Sequence, residues 1–160
     1  MMKSKLGSRF EVKFKPACFT NLQMLKRLIK SYYAFDHIPF RDEEVKVGLH
    51  ALIGDPSLGR AWLIMNGKTT AGYVIVIFWF DLEFGGRAAL ITDLYLTPAH
   101  RRKGFGRTAL RFVEGFCRKA GINTLELQVE RSNTAAQAFY AANGFCSHAR
   151  IPMSKHLIPS

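Results

Sequence analysis

Apolar residues recur along this chain with two different periods, and the switches between them lay out its elements. Phe10, Val12 and Phe14 alternate with charged residues, which is a strand pattern. Leu22, Leu25, Leu28, Ile29 and Tyr32 fall at helical spacing behind Thr20 or Asn21, either of which can cap a helix. Pro39 breaks the chain, and a second short helix is expected from Asp42 to Ile53, with Val45, Leu49 and Leu52 inward. Gly54-Asp55-Pro56-Ser57 is a turn cluster. Ala61 to Met65 and Thr70 to Phe80 are expected strands, joined through the hairpin signal Asn66-Gly67. Asp81 to Gly86 is expected as a loop, and Ala88 to Leu96 as the next strand of a meander.

After Pro98 the period changes. Phe105, Ala109, Phe112, Val113, Phe116 and Ala120 form the inward face of a predicted helix, which Gly121 stops. Leu125, Leu127 and Val129 then alternate with Glu126, Gln128 and Glu130 as a strand. A strand–helix–strand unit of this length is a parallel crossover, expected to be right-handed. Asn133 caps a short helix through Ala142, Gly144 closes it, and Phe145 is expected to begin a final strand. The predicted class is α/β (α+β): a mixed, mostly antiparallel central sheet flanked by helices, with a parallel strand–helix–strand crossover. Without a repeat, linker or low-complexity stretch, residues 1–160 read as a single domain.

Composition narrows the function. With 48% hydrophobic and 22% charged residues, the chain has enough apolar surface to bury a core without disulfides or metal. Cys18, Cys117 and Cys146 are odd in number and far apart, which fits a reducing compartment and a cytoplasmic location. The basic start, Met1 to Arg9, is not followed by an apolar stretch of signal-peptide length. The longest apolar run, Ala71 to Phe80, is about half a membrane span and rich in β-branched and aromatic residues, so a buried strand is expected there. His37, His50, His100, His148 and His156 show no ligand spacing, and no metal is expected. No nucleophile elbow or Cys/His pairing stands out, which favours direct attack of substrate on substrate over a covalent enzyme intermediate.

The net charge is +11, and between Pro98 and Gly121 there are seven Lys or Arg against one acid. That concentration would attract an anionic ligand. The densest part is Arg101-Arg102-Lys103-Gly104-Phe105-Gly106-Arg107, between a predicted strand and a predicted helix. Glycines at this spacing allow a tight turn and close approach to backbone amides, and a helix N-terminus is a ready seat for a phosphate. Neither the full dinucleotide fingerprint nor the phosphate-loop pattern is present, since Ala109 stands where a third glycine belongs and no Gly-Lys-Ser/Thr follows. Downstream comes a second block: Leu127-Gln-Val-Glu-Arg-Ser-Asn133, then Ala136, Phe139-Tyr140 and Gly144-Phe145.

From about Ala88 to Phe145 these two blocks, in this order and at this distance, resemble the Gcn5-related N-acetyltransferase superfamily. The resemblance implies acetyl-CoA as cosubstrate and an amine as acceptor. It implies a pyrophosphate seat from the amides of Arg102, Lys103, Gly104, Phe105, Gly106 and Arg107, with Arg101 shaping the loop. Leu94, Tyr95 and Leu96 would offer backbone groups to the pantetheine arm, and Asn133 would touch the cofactor as well as cap its helix. Tyr140 matches the tyrosine often assigned to protonate the leaving thiolate, and a phenol with pKa about 10 can do so at neutral pH. Phe139 would then pack in the core while Tyr140 faces a cleft.

The general base stays open. Thr92 stands near the place where many relatives carry a Glu, and it cannot act as one. Asp93 is adjacent but expected on the opposite face of the strand. Glu83 and Glu130 are other candidates, as is a water chain. The acceptor is expected near Ser31 to His37 or Asp81 to Gly86, where aromatics accompany Asp36 and Glu83. Competing readings are a non-catalytic acyl-CoA-binding protein on the same scaffold and, more remotely, a basic nucleic-acid module. Dimers are common in the superfamily, and an exposed edge strand leaves room for a homodimer.

Overall fold

The computed structural model describes residues 11–157. Phe10 of the first predicted strand lies outside them. The chain divides into two compact units, one ending at Gln128 and one beginning at Val129.

The first unit is built on a sheet of five strands in sequential order. β1 (Val12–Pro16), β2 (Gly59–Asn66), β3 (Thr69–Asp81) and β4 (Gly86–Leu96) are antiparallel neighbours, and β5 (Thr124–Leu127) pairs parallel with β4. The helices are α1 (Leu22–Phe35), α2 (Asp42–Gly54) and α3 (Phe105–Lys119). The second unit holds α4 (Thr134–Ala142). No helix among the described residues is long and apolar enough to cross a membrane.

Alternation along the strands sends residues to two faces, and each face has its own cover. On one, Leu25, Leu28 and Ile29 of α1 and Leu49 of α2 pack on Ala61, Leu63, Tyr73, Ile75 and Tyr95. On the other, Phe105 and Ala109 of α3 pack on Ile64 and Ala71. Asn66 pairs with Thr69, so Gly67 and Lys68 form a tight loop, with Gly67 at φ +57°. Glycine supplies that left-handed turn without a Cβ clash.

Several expectations need correction. β4 starts at Gly86, inside the stretch read as loop. Asn21 precedes α1, but its side-chain oxygen accepts from the Cys18 amide and leaves the helix amides uncapped. α3 buries Leu110 and Cys117, while Phe112 and Phe116 are only partly covered and Ala120 is exposed. The aromatics sit at the edge of the packed face, where Phe112 stacks on Phe14 at 4.0 Å and Phe116 meets Trp62 edge-on at 4.9 Å. β5 stops at Leu127, short of Val129. No strand follows Phe145 among the described residues; the segment after it, Ile151 and Met153 included, is exposed.

Candidate active site

β4 and β5 are paired as far as Ile91 and Leu127, whereas the pairing of β4 with β3 runs on to Leu96. Among the described residues of this unit, the last stretch of β4 therefore has no ladder partner on its β5 side. Leu94, Tyr95 and Leu96 lie in that stretch. The Tyr95 side chain is buried against α1, and Leu94 and Leu96 pack toward Phe105.

A single turn (Pro98–His100) then leads into the loop. Arg101 is turned back on the fold: its Nε donates to the Leu96 carbonyl at 2.9 Å, and its guanidinium lies 4.5 Å from the Phe35 ring and 5.5 Å from Tyr95. Lys103 Nζ donates to the Ala99 carbonyl at 2.7 Å, and Thr97 and His100 share a 2.7 Å bond. Arg102 (φ +59°) and Gly104 (φ +86°) both take left-handed conformations, costly for the arginine and easy for the glycine. This pair of reversals sets the entry of α3. The first α-helical bond runs from the Thr108 amide to the Gly104 carbonyl, so the amides of the first turn precede the ladder and point along the axis toward the loop. Gly106 lies inside the first turn of α3, and Arg107 projects to the surface. Phe105 is buried as a whole residue, and its ring packs in the core.

The sheet face covered by α1 and α2 carries a feature the sequence reading placed wrongly. Ile75 pairs with Asp93 and Val76 with Ile91, so Thr92 is an extra residue, a bulge in β4. Such a bulge re-aims side chains locally. It puts Asp93, opposite Ile75, on the same face as Tyr73 and Tyr95, and both Thr92 and Asp93 line one pocket of about 350 Å³. Asp93 is thus not turned away from its neighbour. Ile29, Tyr33, Leu49 and Ile75 also border this pocket, and Arg41 and Glu44, which form a 3.0 Å ion pair, border it at the start of α2.

The electrostatics centre on Asp93. Tyr73, fully buried, donates its hydroxyl to Asp93 Oδ2 at 2.7 Å. Burial pushes the Asp93 carboxyl above the usual carboxylate range, and the nearby Asp36 carboxylate adds to the rise, while bonds from Tyr73 and Thr92 pull it back. Burial, then the Asp93 charge, pushes the Tyr73 phenol far above its ordinary value, so it remains a donor. Tyr33 shifts upward for the same reasons. Of the segments proposed for the acceptor, Ser31 to His37 contributes Tyr33 to the pocket, whereas neither Asp81 to Gly86 nor Glu83 borders it. No cluster of metal-ligand side chains occurs among the described residues.

In the second unit, Asn133 caps α4, its Oδ1 accepting from the Ala136 amide at 3.0 Å. Phe139 and Tyr140 are both partly buried; their rings meet at 5.2 Å, and Tyr140 lies 5.7 Å from Phe145.

Residues 22–145 match the acetyltransferase (GNAT) family. This chain belongs to that family. The fold class and the GNAT resemblance read from the sequence stand, and the cosubstrate of GNAT proteins is acetyl-CoA. Among curated relatives, a spermidine N(1)-acetyltransferase of Thermoplasma acidophilum is 34% identical over 70 residues, covering 44% of each chain. A [ribosomal protein bS18]-alanine N-acetyltransferase of Escherichia coli K12 is 31% identical over 83 residues, covering 52% of this chain and 51% of that one. The chain thus spans about half the length of the curated relatives it matches. Among solved structures, the aminoglycoside N-acetyltransferase AAC(6')-Iy in complex with CoA superposes with a TM-score of 0.80 at 13% identity, covering 96% of this chain and 99% of that one; it attests the GNAT fold.

Proposed function

We propose that this chain is an acetyl-CoA-dependent N-acetyltransferase that acts on a primary amine, with Asp93 as the proton acceptor. The observation that carries this reading is the bulge at Thr92, which turns a carboxylate into a pocket just beyond the point where β4 parts from β5. The parted edge at Leu94 to Leu96 suits an extended thioester arm that takes the place of a strand. The left-handed turn at Arg102 and Gly104 and the first amides of α3 suit its pyrophosphate, with Arg102, Lys103 and Arg107 supplying positive charge nearby.

An alkyl ammonium has a pKa of about 10.4 and must lose a proton before it attacks. A carboxylate raised toward neutrality accepts that proton better than one near 4. The amine nitrogen then forms the bond to the thioester carbonyl carbon, the carbon–sulfur bond breaks, and the thiolate takes a proton. The sequence motif assigns that last proton to Tyr140. Tyr140→Phe should lower kcat by about 10²-fold or more, the usual span for a lost general acid, while acetyl-CoA binding by calorimetry stays within twofold.

The direct test is a calorimetric titration with acetyl-CoA followed by release of free thiol in the presence of an amine panel. Binding and turnover are expected. Binding with no turnover on any amine would favour a non-catalytic acyl-CoA-binding protein instead. Tyr73→Phe probes the base separately. The Tyr73 hydroxyl holds the Asp93 pKa down, so its removal should move the acidic limb of the kcat/KM–pH profile to higher pH. An unmoved limb would separate Asp93 from the reaction.

A further inference from the structure

On the reading that the chain transfers acetyl groups, we infer that its acceptor is a primary amine on an apolar stem, and that Gly48 sets how bulky that stem can be. The pocket beside Asp93 is polar at Thr92–Asp93 and at the Arg41–Glu44 pair. Apart from the Tyr33 hydroxyl, the rest of its wall is apolar: Ile29, Val45, Leu49, Leu52 and Ile75 offer no side-chain hydrogen bonds. A polyhydroxylated amine would leave its hydroxyls unpaired against that wall, and a polycation would leave a second charge there. An ammonium on a hydrocarbon or aryl stem matches both parts.

Gly48 is the odd residue in this wall. It lies in the interior of α2, on the border of the pocket. Glycine weakens a helix interior relative to alanine, and α2 gives it no left-handed conformation to serve. Nor does close packing require it, since a Cβ built there meets no atom within 4 Å. Gly48 is exposed where it borders the pocket, so a longer side chain there would crowd the pocket's mouth, and its absence leaves the entry open at the expense of the helix.

The test compares kcat/KM for 2-phenylethylamine and hexylamine with that for spermidine, kanamycin and a peptide with an N-terminal alanine, read as free thiol from acetyl-CoA. The apolar-stem amines should lead by about 10-fold or more, the discrimination an apolar pocket reaches. Gly48→Leu should raise the KM for 2-phenylethylamine by a similar ~10-fold factor, leave the acetyl-CoA KM unchanged, and keep or raise the melting temperature. Preferred acetylation of spermidine, kanamycin or the peptide would overturn the inference while leaving acetyl transfer intact, as would a Gly48→Leu variant with unaltered 2-phenylethylamine kinetics. Absence of thiol release with every amine would overturn the parent reading and this one together.

Discussion

Asp93→Asn should cut kcat/KM by about 10²- to 10⁴-fold, the range for loss of a positioned base, and the variant should melt higher than the parent at pH 8. The two effects have one origin. Asp93 sits where burial disfavours its charged form, so its folded pKa lies above the unfolded one. In that window the native state binds a proton that the unfolded chain has lost. Stability is therefore greatest below the ordinary carboxylate pKa, about 3.9, and falls as pH rises through the folded pKa. Asparagine still accepts from Tyr73 and carries no charge to desolvate. A chain of this size gains roughly 2–4 °C in melting temperature per kcal/mol relieved. Thermal melts from pH 4 to pH 8 should show the two proteins converging at the acid end. An Asp93→Asn variant with full activity would leave water, or another group, to take the proton.

This trade of stability for a placed carboxylate explains where the sequence was legible and where it was not. Period and punctuation carried the strands, the Asn66-Gly67 hairpin and the β4–α3–β5 crossover, because each depends on residues near one another in the chain. The loop from Arg101 to Arg107 was visible for the same reason. The bulge at Thr92 was not, since it is a mismatch between strands set by residues 15 to 18 positions apart, Ile75–Val76 and Ile91–Asp93. One signal pointed to it. Thr92-Asp93 interrupts an otherwise apolar strand, and Tyr73 stands in the apolar run of β3. A buried carboxylate and a buried phenol each need a hydrogen-bond partner, and here they serve one another. The helix burial was misjudged more simply. Phe112 and Phe116 are large enough to reach ring partners from the edge of the α3 face, leaving its centre to Ala109, Leu110, Val113 and Cys117.

Gly72→Ala should cost more than its single methyl group suggests. A Cβ at Gly72 would stand 2.0 Å from the Tyr95 carbonyl oxygen and 3.0 Å from the Leu96 Cα, both backbone atoms. They cannot rotate away, so β4 itself must move. Overpacking of this kind costs about 1–3 kcal/mol and sometimes more. The displacement would fall on the end of β4 that leads into the cofactor loop, where the Thr97 amide is bonded to the Ala71 carbonyl and Arg101 to Leu96. The acetyl-CoA KM should therefore rise along with the loss of stability. Gly59 separates the two effects. A Cβ there meets the Val76 carbonyl oxygen at 2.2 Å, in the pairing of β2 with β3 and away from the loop. Gly59→Ala should lose a comparable 1–3 kcal/mol in urea denaturation and keep the parent's acetyl-CoA KM. If both variants bind acetyl-CoA as the parent does, the end of β4 does not position the loop, and its path from Leu94 to Arg101 serves the core alone.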